Sequence, residues 1–251
     1  MNQASRGRLV VGFLILFGLY QSAEGVGALL LHNGAVQAGL MLAMVLAAWP
    51  VGRWLGYRGY DAYGLDLKAA SGRLVVGGLL LAGLARLAAA FWGLGDGVYA
   101  LGAPPAATLG LALVGAIAGA AISTFVPSIA EDILTRGFWL KASGLGWTGP
   151  IFVLATSAIY VLNHLFRLGE GPLEWMRLFC FGLAYACAAW RWRNLWAAVG
   201  LHWGWNLTNA LLDTVVTLDA VRPEATPWLS AGAHLAMAAI VLLWPRPPER
   251  T

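Results

Sequence analysis

Long apolar runs dominate this chain, and their lengths are typical of membrane-spanning helices. A helix needs about 17 to 25 mainly apolar residues to cross roughly 30 Å of hydrocarbon. Eight runs of about this length lie near residues 9–30, 35–50, 73–93, 106–126, 149–166, 174–190, 195–214 and 228–244. The pattern predicts an all-α fold, a polytopic membrane bundle of about eight transmembrane helices. We divide it into N-terminal helices (1–105), a core (106–214) and a C-terminal helix with a short tail (215–251).

Composition supports this class. Of the 251 residues, 59% are apolar and 11% are charged, whereas a soluble domain carries roughly a quarter charged residues. Cys180 and Cys187 lie seven residues apart in one predicted helix, which is too far along the helix axis for a disulfide. We interpret both cysteines as packing residues.

Lysine and arginine fall mainly on one side of the membrane if eight spans alternate. That side collects Arg6, Arg8, Arg53, Arg58, Lys68, Arg73, Lys141, Arg191, Arg193, Arg246 and Arg250. The other side has Arg167, Arg177 and Arg222, mixed with Asp96, Glu170, Glu174, Asp219 and Glu224. The positive-inside rule then predicts a multi-pass protein of the cell membrane with both termini in the cytoplasm.

Ionisable residues inside the apolar runs are the first indication of function. Glu24 and Arg86 are the two in the N-terminal part, and we favour a structural or interfacial role for each. From residue 106 onward the predicted helices contain a larger polar set: Glu131, Asp132, Arg136, His164, His202 and Asn206. Because such residues are costly in lipid, function is the default hypothesis for this set.

The segment Ser128–Trp139 also admits a structural interpretation. Ser128 and Glu131 have the spacing of a helix capping box, with Asp132 and Arg136 as a surface pair four residues apart. We further expect the helix at 106–126 and this segment to form one long element, kinked near Pro127.

Chemistry becomes the stronger interpretation once the other polar residues are considered. His164 follows Tyr160 by one helical turn, and Asn206 lies one turn after His202 on the same helix face. A carboxylate and an imidazole can activate a water molecule. A second imidazole and a carboxamide can donate hydrogen bonds to a developing oxyanion.

These residues occur in three ordered motifs. They read Glu131-Asp132-x-x-x-Arg136-Gly137, then Tyr160-x-x-x-His164, then His202-x-x-x-Asn206. The order resembles the signature of the CPBP intramembrane proteases, the CAAX protease and bacteriocin-processing (Abi) group that includes the type II CAAX prenyl endopeptidases. The resemblance covers about residues 108 to 212. It differs at Asp132, where the family usually has Glu, and at Tyr160, where it usually has Phe.

The resemblance implies an intramembrane endopeptidase that acts near the cytoplasmic side, with residues 106–214 as its catalytic core. Glu131 is then the general base, with His164 beside the attacking water. His202 and Asn206 form the oxyanion hole. Asp132 and Arg136 hold Glu131 in place, and Tyr160 lies around the catalytic residues without a direct role. The implied partners are a peptide or protein substrate, with or without a lipid, and the bilayer; nucleic acid is not expected.

Three alternatives stay open at this point. One Glu and two His are also a zinc ligand set, and the family has been labelled metalloprotease; we favour a glutamate mechanism with no metal or other cofactor. A transporter could use the same residues as a proton relay. A scaffold or immunity protein of the same family would bind a peptide without cutting it.

The two histidines lie at different depths in the predicted spans. At ~1.5 Å per residue, His164 lies about 22 Å from the start of its span and His202 about 12 Å from the start of its own, although a shared site requires equal depths. Separately, we expect the site to be a cavity that is open toward the cytoplasm, because water must reach it.

Overall fold

The computed structural model describes residues 5–103 and 110–245, and eight α-helices follow one another within these residues. Their bounds are α1 Arg6–Ser22, α2 Gly34–Trp54, α3 Ala69–Gly95, α4 Leu111–Asp132, α5 Gly149–Asn163, α6 Pro172–Trp192, α7 Leu195–Val215 and α8 Thr226–Leu243. Two helices continue as π-helix, α1 over Ala23–Leu30 and α4 over Ile133–Ala142. Each predicted run coincides with one helix, so the all-α membrane bundle is confirmed.

Some of the sequence-based expectations concern residues outside this description. They are the beginning of the fourth apolar run (106–109), the division of the chain at 105, and the charges at Arg246 and Arg250.

Five of the described helical elements are long and apolar enough to cross a membrane. They are Arg6–Leu30, Gly34–Trp54, Ala70–Gly95, Leu111–Ala142 and Pro223–Leu243. The helix α5 is apolar but has only 15 residues, about 22 Å at 1.5 Å per residue. The helices α6 and α7 are not among the five, and each contains a continuous buried stretch, residues 184–189 in α6 and 197–202 in α7. The protein therefore passes through the membrane several times, with parts of α6 and α7 buried inside the bundle.

Glycine lets the inner helices approach their neighbours closely. A Cβ added at Gly204 of α7 would lie 2.6 Å from the Cα of Leu79 in α3, and one at Gly200 would lie 2.6 Å from the carbonyl oxygen of Val75. Such short backbone separations are typical of packing between membrane helices. Lipid tails are as apolar as the helices, so association depends on close van der Waals packing, which small residues allow.

Short elements fix the connections at the two ends of the bundle. Between α2 and α3, a 3-10 turn at Tyr60–Tyr63 packs on α2; the Tyr60 hydroxyl donates to the Val45 carbonyl (3.1 Å) and that of Tyr63 to the Ala48 carbonyl (2.9 Å). Burial raises the pKa of the Tyr63 phenol.

At the other end, strand β1 (Tyr99–Leu101) pairs antiparallel with β2 (Leu218–Ala220). This pairing joins the α3–α4 connection to the α7–α8 connection. A 3-10 helix, Leu165–Glu170, connects α5 to α6.

The capping box predicted at Ser128 is wrong. The helix α4 continues through Pro127 to Asp132, so Ser128 lies inside it and its hydroxyl donates to the Thr124 carbonyl (2.7 Å). Proline is tolerated within membrane helices because neighbouring helices and hydroxyl side chains satisfy the backbone groups it frees. The expected single long element is present, and Asp132 and Arg136 are fully buried rather than a surface pair.

Candidate active site

Glu131 lies at the centre of the polar constellation. It occupies the last turn of α4, just before the π-helical segment, and is 6% exposed. Its Oε1 accepts a hydrogen bond from the Tyr20 hydroxyl of α1 and lies 3.3 Å from His164 Nε2. Its Oε2 lies 3.4 Å from His202 Nε2. The structure thus brings together three predicted site residues, from α4, from α7 and from the carboxyl end of α5.

His164 differs from the prediction in its position on the chain. The helix α5 ends at Asn163, and His164 caps it with φ −87° and ψ 56° instead of lying inside it. Its Nδ1 is 2.8 Å from the Tyr160 carbonyl. Because a carbonyl only accepts, Nδ1 carries the proton and Nε2 faces Glu131.

The two histidines meet at Glu131 although they lie at different distances along their helices. His164 follows α5 directly, about 22 Å from the start of that helix, and is 7% exposed. His202, in the eighth position of α7, is 3% exposed and reaches the same carboxylate.

His202 is held on two sides. Its Nδ1 lies 3.5 Å from Asp132 Oδ2, and neither atom has a hydrogen-bond partner among the described residues. The Tyr185 ring of α6 stacks on the imidazole, with centroids 4.6 Å apart and planes at 19°. These contacts fix the ring plane so that Nε2 points at Glu131.

Asp132 and Arg136 form a fully buried ion pair beside this centre. The Arg136 guanidinium also lies over the rings of Tyr160 (4.6 Å) and Tyr185 (5.0 Å). Within the described residues it makes no hydrogen bond with Glu131. The pair therefore contacts His202 through Asp132, whereas the sequence led us to expect that it holds Glu131.

Asn206 lies one turn beyond His202 and is half-buried. Its amide nitrogen is 3.2 Å from the Ser128 hydroxyl. Its side chain also lines a cavity of about 330 Å³ that lies among α3, α6, α7 and α8. Tyr99 of β1 and Thr226, at the start of α8, line the same cavity. These residues place the cavity at the strand-bearing end of the bundle, opposite Arg6. Glu131, His164 and His202 do not line it, so the expected opening of the catalytic site toward the cytoplasm stays a prediction.

Three residues at or beside the site were not predicted from the sequence: Tyr20, Tyr185 and His234. Tyr20 lies in an apolar run without any motif, and only the fold brings it to Glu131 across 111 positions. The Tyr185 hydroxyl is 2.8 Å from His234 Nε2, and His234 is fully buried in α8. His234 could have been found, because the rule that selected His164 applies equally to an ionisable residue in the last span.

The comparison with protein families covers this same region. Residues 113–208 match the family model described as Rce1-like, type II CAAX prenyl endopeptidase Rce1-like. This part of the chain is similar to that family. The match contains all three motifs, from Glu131 to Asn206, and confirms the resemblance predicted from them. No curated protein matches the chain.

Proposed function

We propose that this Rce1-like membrane protein is an endopeptidase that hydrolyses a peptide bond within the membrane, using a water molecule activated by Glu131 and His164. The observation that carries the proposal is the meeting of a buried carboxylate with two imidazoles at 3.3 and 3.4 Å. A carboxylate and an imidazole at hydrogen-bond range can hold one water between them and remove its proton.

The proposed reaction begins with a water bound between Glu131 and His164. Glu131 takes a proton from the water as its oxygen attacks the peptide carbonyl carbon. Negative charge develops on the carbonyl oxygen, and His202 and Asn206 donate hydrogen bonds to it. The carbon–nitrogen bond then breaks, and the proton held by Glu131 passes to the leaving amine. The products are a carboxylic acid and an amine.

Tyr20 and Asp132 have supporting roles in this scheme. The Tyr20 hydroxyl donates to Oε1 and fixes the rotation of the carboxylate. Asp132 Oδ2 faces His202 Nδ1 at 3.5 Å and orients the imidazole. Nε2, the nitrogen on the other side of the ring, is then the proposed donor to the oxyanion.

We propose a mechanism without a metal. Glu131, His164 and His202 are a possible zinc donor set, yet no group of three His, Cys, Asp or Glu among residues 5–103 and 110–245 has an arrangement suited to a metal ion. Asn206 also has a role in the oxyanion scheme and none in a zinc site.

The orientation and the substrate are part of the same proposal. The distribution of Lys and Arg supports a cell-membrane protein with both termini in the cytoplasm. The substrate is then a peptide or protein, with or without a lipid, cut near the cytoplasmic side, with the bilayer as the other partner and no role for nucleic acid.

The test compares purified variants on a membrane-anchored reporter peptide. We expect Glu131→Gln to abolish cleavage because the water loses its base, and His164→Ala to abolish it because the water loses the imidazole that holds it beside Glu131. Glu224→Gln is the matched control, since it makes the same chemical change at an exposed position. Equal cleavage by the wild type and Glu131→Gln would refute the mechanism, and a scaffold or transporter would show no cleavage in any variant.

A further inference from the structure

The cavity at the strand-bearing end contains arginines that have no role in the proposed hydrolysis. Its walls contain three arginines, Arg86 from α3, Arg167 from the α5–α6 connection and Arg177 from α6. They also contain the amides of Asn206 and Asn209. No Asp or Glu is among the described residues that line it.

Only one carboxylate near the cavity is buried with its arginines. Arg167 and Arg177, both partly exposed, bond to one oxygen, Oε1 of the buried Glu174. Two further acidic neighbours are exposed: Glu170, 3.5 Å from Arg167, and Asp213 of α7, which accepts a hydrogen bond from Asn209 (3.5 Å). The buried Arg86 forms an ion pair with none of these three acids.

Arg86 is the least compensated of the three. It is 6% exposed, and within the described part of the chain it has no ion pair. Its Nε donates to Asn209 Oδ1 (2.9 Å), and its guanidinium lies 5.8 Å from the Trp205 ring and 6.0 Å from the Tyr99 ring. Arg177 Nε is also buried without a hydrogen-bond partner among the described residues.

Buried charge without a partner is expensive, and a bound ion of opposite charge removes the cost. Guanidinium groups present paired N–H donors that match the oxygens of phosphate and carboxylate. A cavity needs a volume of only about 10 to 15 Å³ to hold one water molecule. At about 330 Å³ the cavity has room for an oxyanion and part of the molecule that carries it.

We propose that this cavity is an anion-binding site, in which Arg86 and Arg177 bind a phosphate group. Two sources share this chemistry, the headgroup of an anionic lipid and free phosphate. Thr226 of the cavity lies near the start of the candidate span Pro223–Leu243. Because the ends of a membrane span lie near the lipid headgroups, a lipid phosphate is one candidate source. The proposal does not depend on the proteolytic function, and it gives Arg86 a binding role in place of the structural one favoured from the sequence.

The experiment measures thermal unfolding of the purified full chain in nanodiscs. One arm adds inorganic phosphate to zwitterionic nanodiscs against chloride at equal ionic strength. The other arm uses nanodiscs containing phosphatidylglycerol and no phosphate. Each arm is repeated with Arg86→Gln and with Arg53→Gln, an exposed arginine on α2 at the opposite end of the bundle.

We expect phosphate, phosphatidylglycerol or both to raise the unfolding midpoint of the wild type and of Arg53→Gln, because a ligand that binds the folded state stabilises it. Arg86→Gln should weaken the apparent affinity about 10- to 100-fold, since a charge-assisted hydrogen bond is lost. A response to phosphatidylglycerol alone identifies the lipid source, and one to phosphate alone the free anion.

No stabilisation of the wild type in either arm would overturn the proposal. An equal response in Arg86→Gln and Arg53→Gln would overturn it too. If Arg86→Gln does not fold, Arg177→Gln replaces it, because Glu174 keeps Arg167 as its partner in that variant; the same two outcomes then decide.

Discussion

Removing the Tyr20 hydroxyl is the most specific test of the site, because this contact is invisible in the sequence. Tyr20 is 6% exposed, and its hydroxyl donates to Glu131 Oε1, the oxygen that also faces His164. Tyr20→Phe keeps the ring and so leaves no cavity. The carboxylate loses the donor that fixes its rotation.

The size of the effect follows from that single bond. A hydrogen bond to a charged group contributes about 1.5 to 3 kcal/mol. If it is lost in the transition state, kcat falls about 10- to 150-fold. KM should change little, because Tyr20 has no proposed contact with the substrate.

The assay measures kcat and KM on the reporter peptide, together with the unfolding midpoint. Tyr60→Phe is the matched control; it removes a hydroxyl that bonds to the Val45 carbonyl, in the connection between α2 and α3. If kcat of Tyr20→Phe is no lower than kcat of Tyr60→Phe, the hydroxyl does not position Glu131 and the reasoning is wrong.

The other predictions concern the oxyanion donor, the metal and helix packing. Asn206→Ala should lower kcat about 100- to 1,000-fold and leave measurable cleavage, because His202 still donates; complete loss or no loss would contradict its role. Activity should survive exhaustive chelation, and loss of cleavage that zinc restores would establish a metal mechanism. Gly204→Ala should destabilise the fold by about 1 to 3 kcal/mol, because the added Cβ meets the Leu79 backbone at 2.6 Å. Gly115→Ala is the control, because a Cβ added there has no neighbour within 4 Å among the described residues. Its unfolding midpoint should equal that of the wild type.

The helices and the central residues were accessible from the sequence because each leaves a local signal. Apolar runs mark spans whatever they pack against. Glu131, His164 and His202 are costly in lipid and therefore conspicuous. The structure places these three side chains together, while their roles in catalysis remain predictions.

The remaining parts of the site depend on contacts that no local pattern records. A tyrosine in an apolar run is as consistent with packing as with a hydrogen bond, so Tyr20 gave no signal. Ser128 satisfied the capping pattern, but the pattern does not show whether the helix has already begun before Pro127. The cavity around Arg86 requires α3, α6, α7 and α8 together, and no single stretch of sequence contains it.

The wide separation of the contacts to Glu131 also has a consequence for synthesis of the protein. Tyr20 is made 111 positions earlier, and His202, whose Nε2 lies 3.4 Å from Glu131, comes well after it on the chain. A ribosome-bound chain that ends before α7 contains the carboxylate but has no partner for Oε2. In the proposed chemistry, the nascent protein has no peptidase activity until α7 enters the membrane. It therefore does not cleave other membrane proteins while it is still being inserted.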